Sequence, residues 1–409
     1  MMRISTSWQF QQSVSTMLSQ QTALANTQNQ VTTSKRINVA SDDPAGAAQA
    51  LSLNHILASN AQYSSNIDAA NTRLTTEGGA LDSVTSLLDR ARTLALNGIN
   101  GSLSPSDRQN MATELTQIRD QLVQLANTTD TNGAALFAGT STTTAPFTQN
   151  ADGSVTYNGN DGQLNTAVGS SLQVPIGDAG STVFMNLPAG NGSFVASAGS
   201  ANTGTMIVGD NSVTDTNAWN AAKVSTGGAI NITFATGGAW TATDASGNAI
   251  VDSSGNPVGG TYTDGGSISI DGMSIALSGT PAAGDTIGVK TDQSQDVFST
   301  LNNMITALGS GASDTQLANS MNRQIESIDQ AESSVTNTQV LIGNRLNTLD
   351  QQSSAYSDLN VTYSSALSDV QDVDPYTAIS NLSLQSSALQ ASQQVFAQMK
   401  SMTLFNYLK

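Results

Sequence analysis

The chain of 409 residues has no cysteine and a single histidine, His55. Disulfides, thiolate metal sites and cysteine nucleophiles are therefore excluded, and no second imidazole exists to share a zinc ion. Charge is scarce as well, at 11% of residues against about 25% in ordinary soluble domains. What charge there is is mostly acidic, 31 acids against 14 bases for a net of -17. That balance argues against a nucleic-acid partner or an anionic membrane surface, both of which call for positive charge. No run approaches the ~18 consecutive apolar residues of a membrane helix, so no membrane insertion is expected. Residues 1–30 have no continuous apolar segment with a small-residue cleavage site behind it, so export would have to use a route that reads no cleaved signal.

Recognisable chemistry is equally sparse. The chain carries no phosphate loop, no dinucleotide fingerprint opening a helix and no Gly-x-Ser-x-Gly elbow. His55 lies between Asn54 and Ile56, just off a helical stripe, and reads as a solvated residue. Asp42 and Asp43 precede Pro44 and read as a helix cap rather than a metal or acid/base pair. The central aspartates are scattered without a calcium-loop spacing. No catalytic, cofactor-binding or metal-binding residue is expected, and no enzymatic activity.

Glycine and charge organise what is present. Of the 35 glycines, 26 fall between Gly139 and Gly288, so the flanks are helical candidates and the centre is not. Residues 1–41 and 376–409 hold five basic residues and no acid, which leaves 9 bases against 31 acids in the body, a net of -22.

The flanks step by three and four between apolar positions, the signature of a helix seam. The first stripe runs Phe10, Val14, Met17, Gln21, Leu24, Gln28, Val31, with Leu18 beside it. A second, from Leu53 to Ala95, passes Gly78 and Gly79, where a break is conceivable. Ser104 and Pro105 announce a third helix as N-cap and first residue. After the centre, stripes run Val297 to Leu308 and Leu317 to Val370. Asp374-Pro375 opens a last helix with a stripe of Leu384, Ala388, Ala391, Val395, Gln398, Met402 and Phe405. Helices this long must pair to bury their stripes. In the centre, Asp271-Gly272 between Ile268-Ile270 and Met273-Ile275-Leu277 predicts a two-residue hairpin. Further strand candidates are 155–157, 230–234 and 240–242. Trp219 and Trp240 are the candidate aromatic platforms of an alternative, adhesin-like reading in which the central domain binds glycans or receptors.

The expected fold is mainly α with an inserted β domain: a long antiparallel coiled-coil rod built from both flanks, carrying a central Gly-rich β domain. The expected domains are 1–45 with 375–409 as a terminal helical hairpin, 46–140 with 292–374 as the rod, and 141–291 as the outward-facing insertion.

Residues 34–48, with Arg36, Ile37, Asn38, Ser41, Asp42, Asp43, Pro44, Ala45 and Gly46, resemble the segment joining the first two helices of bacterial flagellins and their junction relatives. Thr76-Glu77-Gly78-Gly79 and Ile342-Gly343-Asn344-Arg345 resemble the same family. The ends, Met2-Arg3-Ile4-Ser5 and Leu404-Phe405-Asn406-Tyr407-Leu408, look like junction members on the distal side more than like filament subunits. The resemblance implies an extracellular structural protein of the bacterial flagellum. It also implies self-assembly as a ring or helix, with the proximal hook-filament junction protein, flagellin, an export chaperone and the type III export apparatus as partners. The flagellin filament subunit is the nearest alternative. Polymerisation is expected to use Phe10, Val14, Met17, Leu18, Leu24, Val31, Val395, Met402, Leu404, Phe405, Tyr407 and Leu408.

Overall fold

The computed structural model describes residues 6–252 and 254–401. The expected class holds: long helices at both ends flank a β-rich centre. The helices are α1 (Thr6–Thr33), α2 (Pro44–Gly98), α3 (Pro105–Ala126), α4 (Thr216–Ser225), α5 (Val297–Gly309), α6 (Asp314–Gln371) and α7 (Pro375–Ser401). The chain divides into two compact units, one of Met1–Ser65 with Gln351–Lys409, the other of Asn66–Asp350.

In the first unit α1 pairs with α7. Threonine and serine, poor helix formers on propensity alone, are accommodated in α1 by turning their hydroxyls back onto the preceding turn. Ser13, Thr16, Thr22, Thr32 and Thr33 each donate to the carbonyl four residues earlier. The parts of α2 and α6 in this unit meet through Asn60 Nδ2, which donates to Asn360 Oδ1 at 3.0 Å, and through Tyr63 stacked on Tyr356 at 5.7 Å.

In the second unit the 3,4 stripes of α2 from Ile67 to Ala95 and of α6 from Leu317 to Leu349 are buried; the two helices are joined by Arg92 with Asp329 and by Gln339 with Asp82, and α3 packs against α5. Gly78 and Gly79 do not break α2, which is continuous through them; the packing of both neighbouring turns outweighs the ~1 kcal/mol that each glycine costs a helix. The α3 start has the capping box that Ser104 and Pro105 predict, with Ser104 and Asp107 exchanging side-chain and backbone bonds. Phe137, Phe147, Phe184 and Phe298 form one aromatic cluster where the chain between α3 and α5 returns to the helices, with ring centroids 5.2 to 6.2 Å apart.

The central segment holds a five-stranded sheet in the order Gly259–Thr261, Ala239–Asp244, Ala229–Phe234, Thr286–Thr291, Phe194–Ala198. A three-stranded sheet runs Ser267–Ile270, Met273–Ser278, Ile207–Val213. The strand pairings of both sheets are antiparallel, and one apolar core serves both sheets and α4. The hairpin predicted at Asp271-Gly272 is present, with Ile270 opposite Met273 and φ of 47° and 79° at the turn. The platform expectation for Trp219 and Trp240 is overturned: both belong to this core, at 2% and 9% exposure, and Trp219 lies against Phe194. Their apolar area is worth more inside than at a surface.

The strand Ile207–Val213 would be an open edge, and α6 covers it. Asn319, Asn322, Arg323 and Glu326 lie on one helical face. Asn319 accepts from Val208 N–H and donates to Met206 O, Asn322 donates to Val208 O, and Arg323 donates to Gly209 O. Glu326 receives Asn211 and Arg323. The polar face of a helix thus occupies backbone groups that could otherwise pair with another strand.

Candidate assembly interface

Two features of the first unit carry the sequence-predicted site residues: the joint at 34–46 and the α1–α7 pair.

The joint is tied to the far end of α6 through the backbone. Arg36 and Ile37 N–H both donate to Gln371 O, Val373 N–H donates to Ser34 O, and the Arg36 guanidinium donates to Val370 O at 2.7 Å. Asn38 is fixed from two sides, accepting from Thr33 Oγ1 and donating to Lys35 O. Asp42 accepts from the N–H groups of Asn38 and Val39, closing a turn, while Asp43 accepts from Gly46 N–H and so caps α2. Asp43 thus does the capping expected of the pair, whereas Asp42 closes the turn before it instead. Ile37 is buried, whereas Ser41, Pro44 and Ala45 are exposed. Arg36 and Asp43 approach to 3.9 Å at the surface, an ion pair worth little in water. His55 is exposed and bonded only within its own helix turn.

The α1–α7 pair is antiparallel, since Phe10 meets Phe396 at 4.9 Å while the opposite ends of the two helices meet at Ser34 and Val373. On α1 the half-buried or buried line is Val14, Met17, Gln20, Leu24, Thr27 and Val31. Gln21 and Gln28, counted as seam positions from the sequence, are exposed, and their neighbours Gln20 and Thr27 turn inward instead. On α7 the inward line is Ala378, Leu382, Gln385, Leu389, Ser392, Phe396 and Met399, which also steps by four and three.

The predicted α7 stripe is a different line. Leu384 and Val395 are 66% and 53% exposed, and Ala388, Ala391 and Gln398 between and beyond them are exposed too. At 100° per residue this line sits about 100° around the helix from the closed seam. The helix therefore carries two 3,4 stripes: one closes the hairpin within the chain, the other is open. On α1, Trp8 and Leu18 are likewise open, and Phe10 is half shielded by Phe396. Of the interface residues named from the sequence, Val14, Met17, Leu24 and Val31 thus line the intrachain seam. Phe10 meets Phe396 at the end of that seam while staying 45% exposed, Leu18 and Val395 face outward, and Met402, Leu404, Phe405, Tyr407 and Leu408 lie outside the described residues. Sequence reasoning missed Leu382, Leu389 and Phe396 as the α7 seam. Extending the 3,4 step from Ala378 instead of Leu384 would have found them.

Among the described residues no group of three or more His, Asp or Glu side chains is placed to hold a metal ion, and no helix is long and apolar enough to cross a membrane.

Comparison with known proteins gives a consistent result. Residues 4–142 match the bacterial flagellin N-terminal helical region and residues 325–408 the bacterial flagellin C-terminal helical region. The chain is 37% identical over 186 residues to flagellar hook-associated protein 3 of Salmonella typhimurium; that alignment spans 46% of this chain and 58% of the relative. Among solved structures, Xanthomonas campestris FlgL is 32% identical with a TM-score of 0.69, covering 77% of this chain and 99% of that one. Hook associated protein-3 of Legionella pneumophila is 29% identical with a TM-score of 0.71, covering 78% and 98%.

Proposed function

Since the chain belongs to the bacterial flagellin family, we propose that it is a structural subunit of the flagellum, forming the distal part of the hook-filament junction. The names of its relatives support this reading over that of a filament subunit. The subunit assembles by packing its terminal helices against identical copies. It meets the proximal junction protein on one side and flagellin on the other, after passing through the type III export apparatus with a chaperone. The observation that carries the assembly step is the second apolar stripe of α7, open beside a seam already closed by α1. A helix with one partner in its own chain and one uncovered apolar line is built for a further helix. Contacts that repeat head to tail from copy to copy give a ring or a helical tube.

In this reading 1–45 with 375–409 polymerises, 46–140 with 292–374 forms the lateral rod, and 141–291 faces outward. Two deletions test it in a motility and filament-attachment assay. Removing 145–290 leaves attachment largely intact, and removing 400–409 abolishes it; the reverse pattern refutes the assignment. Long filaments formed by the purified chain alone would favour a filament subunit instead.

A further inference from the structure

Residues 176–180 lie between the strand Gln173–Pro175 and the π-helical turn Ser181–Met185, and charged side chains of α2 and α6 hold them. Arg73 of α2, buried, donates Nε to Ile176 O at 2.8 Å, and its other nitrogens reach the Asp130 carboxylate and Ala135 O. Arg345 of α6 grips the Asp178 carboxylate through two bonds of 2.7 and 2.8 Å. Glu77 sits one turn along from Arg73 and has no exposed surface. Its Oε1 accepts Asp178 N–H at 3.1 Å, and its Oε2 is buried without a partner. Gly78, next to it, would put a Cβ 4.0 Å from Ile342 Cγ2 of α6, so the two helices meet there through side chains.

The charges can be counted. Two guanidiniums face three carboxyl groups, and both are matched already, Arg73 by Asp130 and Arg345 by Asp178. A charge on Glu77 would be the third negative one, buried beside Asp178 with half of its carboxylate unbonded. Burial first, and the Asp178 charge second, push the Glu77 pKa up to about 8 against the pull of Arg345, Arg73 and the Asp178 N–H. The neutral acid costs least in such a site.

We propose that Glu77 is a proton-operated latch: as a neutral acid it lets residues 176–180 seat against α2 and α6, and its ionisation draws in water and unseats them. The other titratable group against this segment is Tyr157, beside Gly180, and burial raises its pKa above the ordinary 10, beyond the range in which Glu77 changes charge; the bonds from Arg73 to Ile176 O and from Gly180 N–H to Phe137 O end on uncharged acceptors.

Hydrogen exchange on the full chain tests the latch. With the base-catalysed intrinsic rate removed, protection of the 176–180 amides should fall by about tenfold or more between ~pH 6.5 and ~pH 9.5, while the hairpin at 267–278 stays unchanged. In Glu77→Gln, neutral at every pH, the fall should vanish. A flat profile in the unmodified chain, or an equal fall in the variant, overturns the proposal. Titrating the Glu77 side-chain carboxyl carbon by NMR in the unmodified chain needs no variant to fold. A midpoint near 8 supports the latch, and one near the ordinary 4.5 overturns it.

Discussion

Gly46 and Ile37 approach so closely that no side chain fits between them: a Cβ on Gly46 would lie 2.6 Å from Ile37 Cδ1 and 2.6 Å from Asp43 Oδ2. The capping carboxylate and the buried isoleucine of the joint both depend on that bare position. Gly46→Ala should therefore displace Ile37 or uncap α2, costing about 1–3 kcal/mol as overpacking does. Thermal melts followed by circular dichroism check this, and a variant with an unchanged melt would show that the joint yields freely.

The two stripes of α7 separate folding from assembly. Leu384→Asp with Val395→Asp falls on the open stripe, so helicity and melting of the free chain should stay within ~0.5 kcal/mol of the original. Attachment of filaments should be lost. Leu389→Asp falls on the closed seam and should weaken the α1–α7 hairpin itself by about 1–3 kcal/mol. Equal loss of hairpin stability from both sets would mean that the stripes do not differ in role.

Polar residues interrupt the closed seam. Gln20 and Gln385 each bury an Oε1 without a hydrogen-bond partner. Counting inward from Phe10 and Phe396 by ten and eleven residues places them opposite each other. Removing an unsatisfied buried group is stabilising by about 1–3 kcal/mol, so Gln20→Leu with Gln385→Leu should slow amide exchange in α1 and α7. Faster exchange in the double variant would mean that the amides hold the pair together.

Glu77 also sets a sign for global stability. Its folded pKa of about 8 exceeds the ordinary 4.5, so the native state binds this proton more tightly than the unfolded state. The resulting stability is whole below pH 4.5, erodes as pH rises above it, and is gone once pH passes 8. At 1.36 kcal/mol per unit the full effect is about 5 kcal/mol. Glu77→Gln should melt like the original chain near pH 4.5 and at a higher temperature near pH 8. Parallel pH profiles for the two proteins would contradict that.

How far these features could be read from the sequence differs between the units. In α2 and α6 the counted lines Ile67 to Ala95 and Leu317 to Leu349 are the buried lines, because strongly apolar residues recur at only one phase. Asp271-Gly272 was equally legible, since few residue pairs accept positive φ twice in succession. In α7 the period was right and the phase was not, while in α1 the phase held at Val14, Met17, Leu24 and Val31 and slipped only where Gln20 and Thr27 replace Gln21 and Gln28. With almost no charge to mark a solvent face, Leu384 and Leu389 are equally good seam residues by sequence, and only the partner helix decides. The clamp around Glu77 was hidden for another reason: Glu77 and Arg345 lie in segments recognised separately, and Asp178, which joins them, comes from the insertion.

The hydroxyls of α1 bear on what happens when a neighbour covers it. A lysine or glutamate at those positions would need a new partner or lose its hydration on burial. Ser13, Thr16, Thr22 and Thr32 have already spent their protons on their own helix. They keep the free chain wettable, yet can be covered from any direction without leaving a donor stranded. The same surface can thus accept differently oriented neighbours, as the proposed place between two unlike structures requires.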